Sequence, residues 1–285
     1  MAPRRKTRRG RKQKRKTQRG RGRLGLQNYT TIFRPPLKCK DGSNAPYRSN
    51  AYIGKVLKHN TSARTNEIMK ALKSVDPKGD YTIPPLVYCE LAPEQDNANA
   101  KNNTFKKGDY KFQQIQNYGG ISLTSRLRAK EPLKDVLLPL KEFFPKLEEF
   151  NKHYLHSDLH TNNVVWDGAV YKMIDFDGMS TREQNQEDIQ TELEMLHKNN
   201  STRSNENTQK EIDRHINVFM KNHDLVSLTE DILYTIQEYY NDKQSAEILE
   251  HFETVPLIPE YLITMHELKD YRSAWEWLFS KLKAE

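Results

Sequence analysis

Cysteine is nearly missing from this chain of 285 residues: Cys39 and Cys89 stand alone, in no metal-ligand spacing, which argues against a thiolate metal centre. Both are expected to be reduced, in an intracellular protein, because no charged-then-apolar leader precedes them. No apolar run approaches the roughly 20 residues needed to cross a bilayer, so a soluble chain without membrane partners is expected. The 35% of hydrophobic residues still suffices for a core, in one large domain or two small ones.

Acidic and aromatic residues are absent from residues 1 to 23, which hold thirteen of the 46 Lys and Arg. The remainder has 33 basic against 38 acidic residues, so a net charge of +8 for the whole chain becomes −5 for its body. A basic block without apolar periodicity should be disordered by self-repulsion. It can neutralise phosphates through counterion release, or be read as a nuclear import signal. With no aromatic rings to stack on bases, its binding to nucleic acid or an acidic partner should ignore sequence.

What is present centres on His156 to Asp177, HSDLHTNNVVWDGAVYKMIDFD. His156, Asp158 and Asn163 have the spacing H-x-D-x-x-x-x-N, and Asp175-Phe176 follows seventeen residues after Asp158. Between them, Val164 to Trp166 and Ala169 to Ile174 are β-prone runs joined by Asp167-Gly168, a dipeptide that tolerates positive φ and so predicts a tight hairpin. The hairpin would return Asp175 to the side of Asp158 and Asn163. Two carboxylates and an amide oxygen make a hard-oxygen site suited to magnesium, the pattern of a phosphotransfer site.

At these residues the chain resembles the protein-kinase-like superfamily, in which an H-R-D-x-x-x-x-N loop precedes a D-F-G turn. The resemblance implies an α+β fold of two lobes: a small β-rich lobe with one helix at residues 24–118 and a larger helical lobe at residues 119–285. It implies ATP and magnesium as cofactors and a protein Ser/Thr hydroxyl as acceptor. Asp158 would take the acceptor's proton, Asn163 and Asp175 would hold magnesium, and His156 would brace the loop. Lys55, in the predicted strand AYIGKVL, would contact the α- and β-phosphates, with Lys58 a weaker candidate. Glu67, on a predicted helix from Ser62 to Ser74, would pair with Lys55. Backbone groups of Ile115, Gln116, Asn117 and Tyr118 would meet adenine, although Asn117 to Gly120 also reads as a plain turn. Asp224, in HDLVSL, would accept hydrogen bonds from the catalytic loop or simply cap a helix.

Further expectations concern the flanks. YTTIFRPPL reads as a strand stopped by Pro35 and Pro36, and Ile83 to Glu90 and Tyr110 to Gln116 as two more. Phe143, Leu147, Phe150 and Tyr154 recur at helical spacing, with Pro145 in the first turn. Residues 199 to 210 read as loose.

The chain departs from the family in four places. No glycine lies in Gln27 to Thr30, where the phosphate loop would be; Ser157 replaces the usual arginine; Asp177 replaces the glycine of D-F-G; and residues 181 to 223 hold no A-P-E motif. Leu159-His160 resembles the H-G-D-L-H-x-x-N loop of aminoglycoside and choline kinases, which keeps a small-molecule acceptor open and places His160 in the site. A pseudokinase with a nucleic-acid-binding tail is the non-enzymatic alternative. Short matches, FRPPLKCK, YIGK and YGGISL, resemble divergent Ser/Thr-type kinases of large DNA viruses, which would imply a nuclear or virion-associated location. Removing residues 1 to 23 should abolish salt-sensitive retention on heparin or RNA; retention that persists in the truncated protein would refute the charge assignment.

Overall fold

The computed structural model describes residues 31–93, 110–198, 205–258 and 268–284. The expected basic tail, the segment expected to carry a phosphate loop and most of the polar connection after residue 91 lie outside the described residues. The remainder is a mixed α/β molecule, with a small antiparallel sheet leading into a larger helical part.

Four strands form the first sheet in the order β1-β2-β4-β3: β1 (Thr31–Phe33), β2 (Tyr52–Leu57), β3 (Pro85–Glu90) and β4 (Phe112–Asn117). β1 ends ahead of Pro35 and Pro36, as expected, because Pro has no N–H to continue a ladder. Close approach explains Gly54 in β2: a Cβ there would sit 2.6 Å from Gln113 Oε1 and 3.2 Å from Pro36. Helix α1 (Ser62–Val75) follows β2 and buries Thr65, Ile68 and Leu72, a spacing of three and four that puts them on one face. Its C-terminal turn closes on Asp76, whose carboxylate accepts from the backbone N–H groups of Asp80, Tyr81 and Thr82.

The expectation of reduced cysteines is not met: Cys39 and Cys89 form a disulfide with Cα atoms 5.8 Å apart. Fifty residues of sequence separate them, but a bridge between Cys39 and Leu91 aligns the segment after Pro36 with the end of β3.

The sheet leads through Gly119 and Gly120 to β5 (Ile121–Ser122), α2 (Leu123–Arg128), α3 (Leu133–Leu137) and α4 (Leu140–Asn151). Phe143, Leu147 and Phe150 are buried along α4, as the spacing predicts, while Tyr154 lies past its end in β6 (Tyr154–Leu155). Pro145 sits inside α4 rather than in its first turn. β7 (Val164–Trp166) and β8 (Tyr171–Met173) form the expected hairpin, but with a four-residue loop because Trp166 pairs with Tyr171. Asp167 Oδ1 accepts from the N–H groups of Ala169 and Val170 and stabilises the wider loop.

After β9 (Ser180–Thr181), which pairs with β6, come α5 (Arg182–Lys198), α6 (Asn205–Tyr239), α7 (Lys243–Glu253) and α8 (Tyr271–Ala284). Residues 205 to 210, expected to be loose, belong to α6. One large core joins α2 to α8 and reaches Ile68, Leu72 and Tyr81. Trp275 is buried in it with its Nε1 donating to Thr229 Oγ1, while Trp277 packs at its edge. No helix among the described residues is long and apolar enough to cross a membrane.

Closing a loop of this length by a disulfide is worth about 4 kcal/mol in chain entropy. Replacing Cys39 and Cys89 by serine should therefore lower unfolding stability by up to about 4 kcal/mol; a denaturant midpoint equal to wild type under non-reducing conditions would show that the bond does not form.

Candidate active site

The loop from His156 to Asn163 connects β6 to β7 and takes its shape from α6. Asp224 is fully buried, and its carboxylate accepts from His156 N at 2.7 Å, Ser157 N at 3.1 Å and Asn151 Nδ2 at 2.8 Å. It lies well inside α6, so the helix-cap alternative is excluded and the loop-anchor reading holds. Burial alone would raise this carboxyl, but the hydrogen bond and charge of His223 and the charge and backbone N–H of His156 outweigh it and hold it below its ordinary value. Two turns further along the helix, Asp231 Oδ2 accepts from Thr161 N at 2.8 Å and from Thr161 Oγ1 at 2.5 Å. The Thr124 hydroxyl of α2 adds a 2.5 Å contact to the same Thr161 oxygen. Sequence reasoning missed Asp231 and Thr161; the spacing of seven from Asp224, which puts both carboxylates on one helix face, was the available signal.

Between these anchors the loop turns at Ser157, whose φ is +62°, a conformation disfavoured for a residue with a Cβ. The Asp158 side chain is 73% exposed. Asn163, buried, donates from Nδ2 to Asp158 O at 2.9 Å and lies 3.1 Å from His160 Nε2. His160 Nε2 stands 3.9 Å from Asp158 Oδ2.

The hairpin returns the chain as expected. Ile174 N donates to Asn163 O at 3.0 Å, and the buried His156 ring donates from Nε2 to Ile174 O at 2.8 Å, so both ends of the loop are tied to the strand exit. His156 also stands 5.0 Å from the Phe176 ring, which is itself buried. His156 is thus buried and tied to the strand exit. Asp175 has φ +63° and begins a turn at Phe176–Gly178.

The partners of Lys55 differ from expectation. Its Nζ donates to Asp175 Oδ1 at 2.5 Å and Asp177 Oδ2 at 2.8 Å. Burial pulls the Lys55 ammonium down, yet the charges of Asp175 and Asp177 prevail and raise it above its ordinary value. The expected pair with Glu67 is not formed: Glu67 is 68% exposed and lies 3.4 Å from Arg64 Nη1 on its own helix. The same Arg64 donates from Nη2 to Met179 O and fastens α1 to the segment after the turn. Lys58, the weaker candidate, lies over the Tyr110 ring and outside the site.

The segment expected to face adenine lies at the end of β4 and just past it. Ile115 and Gln116 have ladder partners on both sides, in β2 and β3, so their backbone groups are committed to the sheet. Asn117 pairs with Tyr52 alone, and Tyr118 N donates to Ala51 O while its ring lies 3.5 Å from the Arg34 guanidinium carbon. Gly119 and Gly120 press against the hairpin: a Cβ on Gly120, whose φ is +96°, would fall 2.0 Å from Trp166 O.

No family model matches this chain, and no curated protein does. The site's chemistry is therefore argued from its atoms. Asp158, Asp175 and Asp177 against Lys55 leave an excess of two negative charges, with hard oxygen donors at Asp175 and Asn163. Carboxylate and amide oxygens are the donor type that a hard cation such as magnesium takes. Among the described residues no three His, Cys, Asp or Glu side chains group as a self-sufficient metal site.

Asp224→Asn should destabilise the protein by about 3 kcal/mol, since buried N–H groups lose an ionised acceptor. Because the folded pKa of Asp224 is depressed, its contribution is full above the unfolded pKa and is lost as pH falls through the folded one. Wild-type stability should therefore fall more steeply than that of Asp224→Asn on acidification below the ordinary aspartate value; parallel acid titrations of unfolding would contradict the anchor assignment.

Proposed function

We propose that this chain is an ATP- and magnesium-dependent phosphotransferase with a two-lobed, protein-kinase-like fold, which moves the γ-phosphoryl group to a protein Ser/Thr hydroxyl. One observation supports the reading: Lys55 of the sheet is ion-paired to Asp175, whose neighbour Ile174 donates to Asn163 O, while Asn163 Nδ2 donates to Asp158 O. In this reading Asp158, the most solvent-open of the acids, orients the acceptor hydroxyl and takes its proton. Lys55 holds phosphate oxygens, and Asn163 and Asp175 hold the cation. Bound magnesium supplies neutralisation of the phosphate charge. The order β1-β2-β4-β3, with the Lys55 strand beside the strand that leads out of the sheet, supports the two-lobed assignment.

The cleft between sheet and turn encloses a cavity of about 40 Å³, lined by Ile32, Ile53, Lys55, Gln114, Gln116 and Asp175 among others. A nucleotide needs more room, so binding must separate Lys55 from the turn or lift β1. The acceptor is a protein side chain because Asp158 opens directly on solvent, where a large acceptor has access. The second reading, a small-molecule acceptor, is favoured by the short connection from the turn to α5: helix begins at Arg182, directly after β9, and leaves no extended segment to bind a peptide.

Purified protein with magnesium and γ-labelled ATP should phosphorylate casein or myelin basic protein in preference to aminoglycosides. Asp158→Asn should retain nucleotide binding and lose about 100-fold or more in turnover, whereas Asp175→Asn should weaken nucleotide binding itself. Wild-type protein with the same background as Asp158→Asn on every acceptor would replace this reading with a non-catalytic one.

A further inference from the structure

We propose that Asp177 is the positioning residue that keeps Lys55 directed at the nucleotide phosphates, in place of a helix glutamate. The proposal rests on the phosphotransferase reading and concerns how that site is held ready. Lys55 bridges two carboxylates of one short turn, Asp175 and Asp177. They are not equivalent. Asp175 is the residue whose oxygens a cation would share, and a dication there competes directly with the ammonium. Asp177 accepts from Lys55 at 2.8 Å, with its side chain 47% exposed, and lies outside the set of residues assigned to the cation.

Glu67 cannot take the task without dismantling its helix packing. Its neighbour Ile68 is 1% exposed and Leu72 is 0%, so rotating α1 to bring Glu67 inward would drive both out of the core. Two further bonds hold α1 in its present orientation: Arg64 to Met179 O, and Gln114 Nε2 to Thr65 Oγ1 at 2.8 Å. The turn that carries Asp177 is fixed as firmly. Phe176 packs between His156 and Phe150, and a Cβ on Gly178 would meet His156 O at 3.4 Å. Among the described residues that line the cleft with Lys55, only Asp175 and Asp177 are charged. Lys55 and the cation-binding aspartate are thus aligned by one three-residue turn, and α1 need not move to complete the site.

The test compares Asp177→Asn, Asp177→Glu, Glu67→Gln and wild type in the full chain, with thermal unfolding to confirm folding of each. The first readout is the rate at which an amine-reactive ester acetylates Lys55 at one fixed pH, relative to the other lysines of the same sample and quantified by mass spectrometry, which needs no enzymatic activity. Asp177→Asn should release Lys55 from its ion pair and raise its relative labelling, Asp177→Glu should restore the wild-type level, and Glu67→Gln should leave it unchanged. The second readout is phosphotransfer: Asp177→Asn should lose on the order of 10- to 100-fold in kcat/KM for ATP through misplacement of Lys55, with an unchanged magnesium requirement, and Glu67→Gln should stay near wild type. Equal effects of Glu67→Gln and Asp177→Asn would overturn the proposal. So would a raised magnesium requirement in Asp177→Asn without a change in Lys55 labelling, which would make Asp177 a cation ligand. Active protein indifferent to Asp177→Asn overturns this proposal alone, whereas wild-type protein without phosphotransfer removes the phosphotransferase reading and this role with it.

Discussion

A carboxylate withdrawn from water costs several kcal/mol unless donors replace its hydration, and the geometry of the candidate site follows from how Asp224 meets that cost. Its donors include the backbone N–H groups of His156 and Ser157, the side chain of Asn151 and the ring of His223. Converging two successive N–H groups on one carboxylate goes with a sharp bend, which is where Ser157 takes its positive φ. Asp231 holds the far end at Thr161, so the loop is clamped at two points on one helix while Asp158 projects between them. Asn163 and Ile174 then inherit their places from the clamped loop, and the turn bearing Asp175 inherits its place from Ile174.

The small sheet reaches this arrangement by separate ties. Met173 of β8 exchanges backbone hydrogen bonds with the segment before β3, donating to Tyr81 O and accepting from Ile83 N. The glycine pair after β4 lies against the other strand of the same hairpin. The hairpin therefore serves both as the return path of the loop and as the seat of the sheet. Lys55 completes the junction with charge, and its two carboxylate partners give the sheet an electrostatic hold on the same turn.

Much of this was legible because it is local. The spacing from His156 to Asp175 depends on one loop and one hairpin, and both α1 and the apolar stripe of α4 follow from a period of three and four. What was not legible depends on how elements rotate or meet. Glu67 and Arg64 share a helix, and only the burial of Ile68 decides that the glutamate faces outward. The cysteine pair is hidden because its two sulfurs meet across a loop whose path no periodicity records. The hairpin widened because Asp167 satisfies two backbone donors with its side chain, an interaction that the Asp-Gly signal for a tight turn does not include. Asp224 was recognisable only through family likeness, since its own neighbourhood reads equally well as a helix start.

The anchors of the loop lie far downstream in sequence, His156 reaching Asp224 across 68 residues and Thr161 reaching Asp231 across 70. During synthesis at about 5–20 residues per second, the loop therefore leaves the ribosome roughly 3 to 14 seconds before the helix that shapes it. The strands and α1 can assemble in that interval, but His156 to Asn163 have nothing to fold upon. A nascent chain thus carries every residue of the site in order and still lacks the site, and a product truncated before Asp231 would hold the motif without its geometry.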